Sequence, residues 1–160
     1  MSEFRILRNC VLPLGLYYKI EEHIWLRLES DGLATLGFTD VAQTTAGGML
    51  HVTFRALGKS YPAGKSVAVV ESAKWLGSLR TPVTGTLAAV NETLLQDAGL
   101  INRSPYRRGW VVKMQPDDIA ADLQRLRTGD AALAAYDAFM AAKRLDDCIH
   151  CEGYELPDGH

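Results

Sequence analysis

The sequence predicts an α+β protein that is mainly β, with a sandwich or barrel of short strands followed by helices. Between residues 18 and 112, short segments rich in β-branched residues alternate with turns. From Asp117 onward the composition changes to Ala, Leu, Asp and Arg, and the apolar residues take helical spacing. The chain has 160 residues, of which 48% are hydrophobic, so a single packed core is expected.

The first predicted strands form a hairpin that leads into a short helix. Residues 24–28 and 33–38 are its two arms, because a Ser-Asp-Gly turn separates them. Thr39 is a candidate N-cap for a helix over residues 40–43, since a threonine hydroxyl accepts hydrogen bonds from first-turn N–H groups. The Gly-Gly pair at 47–48 is expected to end that helix.

The middle of the chain predicts further strands. They are expected at residues 49–54, 66–71, 78–83, 86–90 and 109–114. Residues 72–77 have the composition of a turn or hairpin tip between the second and third of these strands. Pro82 restricts the end of the third strand to a sheet edge or a bend, because proline cannot donate a ladder hydrogen bond.

Two helices are expected after the strands. The helical pattern breaks at Thr128 and Gly129, and Asp130 is the predicted cap of the second helix. We therefore expect residues 1–145 to form a single domain that includes these helices. Residues 146–160 are expected to form a flexible, Cys-containing tail.

Charge and hydropathy exclude several classes of protein. A net charge of −2 and an isoelectric point near 6.1 give no reason to expect a nucleic-acid partner. No apolar run approaches the roughly 20 residues that cross a bilayer, and charges interrupt the N-terminal region where a signal peptide is apolar. We expect a cytoplasmic protein without a membrane partner. The three cysteines, an odd number, are expected to be thiols there.

Three ordered motifs carry a resemblance to a known family. They read EEHIWLRLESDGLATLGFTDVAQ from Glu21, VVESAKWLGSLRTPVTGTL from Val69, and NETLLQDAGLINRSPYRRGWVVKMQP from Asn91. The chain resembles the glycine-cleavage H-protein family over residues 17–116. Most lysines in turns are solvated surface charges, so the Glu-Ser-x-Lys context is what distinguishes Lys74.

The resemblance implies a fold and a cofactor. The fold is the family's hybrid sandwich of two antiparallel sheets, with the modified lysine on a hairpin and C-terminal helices. Lys74 would carry lipoate in amide linkage, attached by a lipoate–protein ligase or a lipoyl transferase. Glu71 and Gly58 match the two family positions that help the lipoylating enzyme. The protein would be a non-catalytic carrier, whose swinging arm shuttles an intermediate between partner enzymes.

The sequence around Lys74 departs from the standard family pattern. Trp75 follows the lysine where the family has a small residue, and it is either half-buried against the sheet or an apolar wall beside the arm. Residues 55–80 carry five basic residues against Glu71 alone, a net charge of +4. The basic residues are Arg55, Lys59, Lys65, Lys74 and Arg80. Such a surface is either drift on a solvated hairpin or a sign of a different partner.

These departures favour one pathway over its alternatives. The chain looks similar to the H-like lipoate-binding proteins of heterodisulfide-reductase-like sulfur oxidation, in which the arm would carry sulfur intermediates to that complex. The first alternative is a glycine cleavage H protein, which carries the aminomethyl group between the glycine cleavage enzymes and is reoxidised by dihydrolipoyl dehydrogenase. The second alternative is a donor protein that relays lipoyl groups to other proteins.

The remaining polar residues admit several interpretations. Cys148 and Cys151 form a C-x-x-C pair, which is a spectator pair, a redox pair that exchanges with the arm, or half of a zinc site; no metal site is predicted. Cys10 is expected to be a small buried residue. His23 is expected to make a structural hydrogen bond, with Glu22 and its neighbour Glu21 beside a cleft for a charged cargo. His51 is expected to face solvent, and no residue is predicted to be catalytic.

Overall fold

A computed structural model describes residues 3–145 of the chain. Twelve strands and four helices lie within that range, together with 3-10 turns at Ile20–Glu22 and Glu92–Leu95. The strands are β1 Phe4–Leu7, β2 Cys10–Pro13, β3 Tyr17–Lys19, β4 Ile24–Leu28, β5 Ala34–Phe38, β6 Met49–Phe54, β7 Ser60–Tyr61, β8 Ser66–Ser72, β9 Leu76–Arg80, β10 Gly85–Val90, β11 Val112–Pro116 and β12 Arg127–Thr128. The helices are α1 Asp40–Ala46, α2 Leu100–Arg103, α3 Ile119–Leu123 and α4 Gly129–Lys143.

The strands form two main antiparallel sheets. The larger sheet has the order β12-β3-β4-β5-β11-β10-β7, and the smaller has the order β6-β8-β9. A separate hairpin pairs β1 with β2. The prediction of an α+β, mainly β fold with two antiparallel sheets and a C-terminal helix is therefore confirmed.

Two apolar clusters form the core. The first takes side chains from both main sheets, including Leu36, Val70 and Met114, all fully buried. The second lies under α4, where Trp25 and Tyr136 are buried beside residues of the β1–β2 hairpin. The sandwich is thus closed by sheet-on-sheet packing, and α4 covers a second, separate apolar surface.

Several predicted elements have the predicted positions. β4 spans the expected residues, and β5 begins one residue later than expected. Thr39 caps α1 through its hydroxyl oxygen, which accepts a hydrogen bond from the Ala42 N–H at 3.3 Å. His51 is exposed on β6, as expected from its alternation with apolar residues. Local turn and cap chemistry was sufficient to locate these elements.

Other elements differ from the prediction. The β1–β2 hairpin was not predicted, although its turn residues Arg8 and Asn9 take the left-handed conformation that favours Asn. The strand expected at 109–114 begins at Val112, because the Gly109 N–H donates to the Ser104 carbonyl in a turn. It is also not the last strand, since β12 follows α3 and pairs with β3.

The prediction that Asp130 caps α4 is wrong. Asp130 does not cap the helix, because Thr128 occupies the N-cap position at the end of β12. The Thr128 hydroxyl donates to the Leu16 carbonyl at 2.8 Å and makes no capping bond. The expected tail, residues 146–160 with Cys148 and Cys151, lies outside the described residues. No helix between residues 3 and 145 is long and apolar enough to cross a membrane.

Candidate functional site

Lys74 lies at the tip of the β8–β9 hairpin. The Ser72 N–H donates to the Trp75 carbonyl at 2.8 Å, so Ala73 and Lys74 alone form the turn. Neither tip residue has a positive φ, which explains why the turn needs no glycine. The Lys74 side chain is exposed and projects from the end of two paired strands.

The hairpin is fixed to the end of α1. The Ser72 hydroxyl donates to the Ala46 carbonyl at 2.6 Å, and the next residue, Gly47, takes a φ of +80°. A side chain at Gly47 would place its Cβ only 3.2 Å from Cε of Lys74. The absence of a side chain at Gly47 therefore leaves room for the lysine stem to lie across this loop.

Asn102 holds the same loop from the other side. Its side-chain amide donates to the Gly47 carbonyl at 2.8 Å, and its side-chain oxygen accepts a hydrogen bond from the Met49 N–H at 2.8 Å. Asn102 belongs to the third sequence motif, but nothing in that motif predicted this role. Its position just before a Pro-Tyr turn was the only signal.

A small pocket opens beside the hairpin tip. Its volume is about 80 Å³, and Trp75 forms part of its wall on the hairpin side. The Trp75 ring packs edge-on against Phe38 at a centroid distance of 6.3 Å and lies over Gly77, where a Cβ would overlap the indole. With 37% of its surface exposed, Trp75 is both packed on the sheet and part of the pocket wall. The other lining residues are Glu22, His23, Ala42, Thr45, Ala46 and Ser78.

Glu22 is one of the residues that line this pocket. Its Oε2 atom is buried and makes no hydrogen bond with any residue between 3 and 145. A buried carboxylate oxygen without a donor is costly, so the pocket is suited to a group that donates a hydrogen bond or carries positive charge. Glu21, by contrast, is exposed and does not line this pocket.

His23 borders the pocket and is held by α4. Its Nδ1 shares a hydrogen bond with the hydroxyl of Tyr136, which also bonds to the Thr39 hydroxyl at 2.8 Å. The imidazole stacks on the Tyr136 ring and meets the Phe139 ring edge-on. Burial lowers the pKa of His23 to about 4 and raises the pKa of Tyr136. His23 is therefore neutral near pH 7 and has the structural hydrogen bond that was expected.

The two predicted recognition residues lie in different parts of the fold, with Glu71 in β8 and Gly58 between β6 and β7. Glu71 is exposed near Lys74, between His51 and Leu76 in the cross-strand register. Gly58 is far from the tip, because its N–H donates to the Leu87 carbonyl beside β7. The structure therefore places Glu71 with Lys74 and separates Gly58 from both.

The basic residues do not surround Lys74, which corrects the interpretation from sequence distance. Arg80 pairs with Ser66 at the first residue of β8, and Lys65 immediately precedes that strand. Six residue steps of strand, about 20 Å, separate this end from Ser72 beside the tip. Arg55 and Lys59 also lie away from the tip, since they follow β6 at its far end. The charge near the arm is thus not the +4 counted along the sequence.

Cys10 also differs from the expectation of free thiols. It is 1% exposed in β2, as expected for a small buried residue, but it is disulfide-bonded. The other two cysteines of the chain, Cys148 and Cys151, lie outside the described residues.

Comparison with known proteins gives a consistent set of similarities. The family model described as "Glycine cleavage H-protein" matches residues 16–138. The chain is 40% identical over 126 residues to glycine cleavage system H protein 2 of Aquifex aeolicus, covering 79% of this chain and 78% of that protein. It is 37% identical over 139 residues to the probable glycine cleavage system H protein 2 of Saccharolobus solfataricus, covering 86% and 93%. The crystal structure of a glycine cleavage system H protein from Mycobacterium marinum superposes with a TM-score of 0.68 at 27% identity, covering 79% of this chain and 99% of that one.

Proposed function

The chain belongs to the glycine cleavage H-protein family, whose non-catalytic members carry lipoate covalently on a lysine, and on that premise we propose that Lys74 is the lipoyl-bearing residue. The position of Lys74 carries this proposal. It is exposed at the tip of a two-residue turn, with its stem across Gly47 and an apolar wall beside it. An enzyme can therefore reach its Nζ without disturbing the fold.

The residues around Lys74 fit a lipoyl arm. When attached, lipoate supplies a dithiolane that undergoes thiol–disulfide exchange with enzymes that dock nearby. Acylation removes the lysine charge, so the arm no longer favours water over the apolar surface of Trp75. Ser72 and Asn102 fix the base of the arm through their bonds to the Ala46 and Gly47 carbonyls. The chain's own contribution is a rigid base with a recognition surface.

The test of this proposal is attachment itself. The protein is incubated with lipoate, ATP and a lipoate–protein ligase, and its intact mass is measured. We expect a gain of one lipoyl group that maps to Lys74 and is lost in Lys74→Arg. Lys19→Arg, a substitution in β3, is the matched control and should be modified like the wild type. Modification of Lys74→Arg at the wild-type level would refute the assignment.

For the cargo, we propose sulfur intermediates, delivered to a heterodisulfide-reductase-like complex. Trp75 supports this proposal, because an indole beside the arm shields a reactive sulfur group from water. The relatives named H protein 2 or 3 also support it, since an organism with several H proteins can assign them different cargo. The basic residues no longer support it, as they lie at the other end of β8.

An aminomethyl cargo is the second candidate, and Glu22 favours it. An amine on the arm is cationic, and Glu22 lines the pocket with a carboxylate whose Oε2 atom has no hydrogen-bond partner within residues 3–145. The family's glycine cleavage name agrees with this candidate.

One loading experiment separates the two candidates. Lipoylated protein is incubated with glycine and a pyridoxal-phosphate-dependent glycine decarboxylase, and its mass is followed. An aminomethyl gain that falls in Glu22→Gln, but not in the exposed control Glu21→Gln, would establish the second candidate and reject sulfur. Sulfur transfer requires instead that the wild type stay unloaded and that turnover by the heterodisulfide-reductase-like complex depend on lipoylated Lys74.

A further inference from the structure

We propose that the outer face of the β6-β8-β9 sheet is the docking surface for the enzyme that attaches lipoate, and that the part of this enzyme lying over the far end of the sheet is acidic. This inference rests on the proposed attachment at Lys74. It is carried by three cations that the sequence scatters over 26 positions and that the sheet brings together. They are Arg55, Lys65 and Arg80.

Each cation stands at the same end of one strand. The Arg55 N–H donates to the Val67 carbonyl just beyond β6, and the Lys65 carbonyl accepts from the Thr81 N–H just before β8. Arg80 closes β9 and pairs with Ser66 in the register. Since the strand order is β6-β8-β9, the three side chains originate side by side.

These cations are exposed and without ionic partners among residues 3–145. None of the three makes a salt bridge in that part of the chain, whereas Arg8, Arg27, Arg103 and Arg125 each pair with a carboxylate. Arg80 makes one long contact, 3.4 Å, from its guanidinium to the Gly64 carbonyl. The nearby carboxylates Asp117 and Asp118 follow β11 in the other sheet and also form no salt bridge within residues 3–145. The cluster is thus available to an external anionic surface.

Exposed and partly exposed residues lie between this cluster and the tip. Thr53, Val69 and Ser78 face each other across the three strands on the side opposite the buried Val52 and Val70. The next cross-strand row toward the tip is exposed and consists of His51, Glu71 and Leu76. The face therefore has a carboxylate at the Lys74 end and three cations about 20 Å away. Opposite charges at its two ends can fix the orientation of a partner.

The attaching enzyme is the partner that this geometry suits. It must bring its active site onto Nζ of Lys74, so its footprint has to include the hairpin tip. A standard interface buries about 800 Å² on each partner, which corresponds to a patch roughly 30 Å across. A patch of this width covers both the hairpin tip and the three cations, which lie about 20 Å apart, when it is centred midway along β8. An enzyme that acts on the far end of the arm has no such need to contact the hairpin.

The experiment measures attachment kinetics with full-length protein, lipoate, ATP and a lipoate–protein ligase that modifies the wild type. We expect the double substitution Lys65→Glu/Arg80→Glu to lower kcat/KM for attachment about tenfold or more at low salt, because reversing charge at a docking surface slows encounter. The difference should shrink to roughly twofold near 0.5 M NaCl, where screening is strong. Lys65→Gln/Arg80→Gln should give an intermediate loss.

The matched control is Arg5→Glu/Arg127→Glu, which makes the same change in net charge at exposed positions in β1 and β12. Equal rates in the test and control variants, whether both slow or both unaffected, would overturn the docking proposal. A lipoyl group that maps to a residue other than Lys74 in the wild type would instead overturn the proposed function. The two failures are therefore distinguishable.

Discussion

At the residue scale, position 85 requires glycine because the backbone of β11 lies too close for any side chain. A Cβ at this position would lie 2.1 Å from the Gln115 carbonyl oxygen of β11, and the facing backbone cannot rotate away. We expect Gly85→Ala to lower the free energy of unfolding by about 2–3 kcal/mol, which is typical of overpacking against rigid atoms. Gly15→Ala is the control, because no heavy atom lies within 4 Å of the Cβ it would add. Urea unfolding measures both, and an equal effect of the two substitutions would contradict this account.

His23 should make stability depend on pH. Its pKa is about 4 in the folded protein and about 6.5 when unfolded, so the unfolded chain binds the proton first as the pH falls. The stabilisation from keeping His23 neutral is complete above pH 6.5 and is lost progressively down to pH 4. We expect about 2–3 kcal/mol less stability at pH 4.5 than at pH 7 from this group.

The measurement is urea unfolding at both pH values for the wild type and two variants. His23→Asn removes the titrating group and keeps a residue that tolerates the left-handed backbone at φ 58°. It should have a smaller pH dependence than the wild type. His51→Asn, at an exposed position, should retain the wild-type dependence. A wild-type dependence in His23→Asn would assign the effect to other groups.

At the element scale, the hairpin that bears Lys74 is held to α1 by one buried hydroxyl. Ser72→Ala removes the donor to the Ala46 carbonyl and leaves that buried oxygen without its partner. We expect the free energy of unfolding to fall by about 1–2 kcal/mol and hydrogen exchange at the Ser72 amide to become faster. Ser78→Ala on β9 is the control, since the Ser78 hydroxyl makes no hydrogen bond within residues 3–145. Unchanged exchange in Ser72→Ala would show that strand pairing alone fixes the tip.

At the scale of the whole molecule, Tyr136 joins α4 to the larger sheet and to α1. Its hydroxyl bonds to His23 after β3 and to Thr39, the cap of α1. We expect Tyr136→Phe to lower the free energy of unfolding by about 1–3 kcal/mol, because it removes the hydroxyl partner of the His23 Nδ1 atom and one of the two hydrogen bonds of the Thr39 hydroxyl. Tyr61→Phe, which removes an exposed bond to the Ala56 carbonyl, should cost much less. Thermal unfolding of both variants provides the comparison.

The whole molecule also determines how charge is distributed. Counting charges along residues 55–80 suggested a basic environment for the arm, yet the strands carry Lys65 and Arg80 to the end of the sheet away from Lys74. A β-hairpin brings residues at equal distance from its tip together and separates residues along its length. Sequence proximity to Lys74 was therefore a poor guide to its electrostatic surroundings.

The sequence by itself determined the local features of this protein. The β4–β5 hairpin, the Thr39 cap and the turn containing Lys74 all follow from turn and cap chemistry within a few residues. The three ordered motifs together were also sufficient to predict the H-protein family.

Only the tertiary structure decided which distant residues meet. In the folded chain, Glu22 and Trp75 line one pocket, and β12 pairs with β3. The Asn102 side chain donates a hydrogen bond to the Gly47 carbonyl and so holds that loop. Gly58 and the basic residues lie away from the arm, although they are close to Lys74 in the sequence. These arrangements depend on strand order and on packing between separate elements, which local hydrogen bonding and hydrophobic periodicity do not specify.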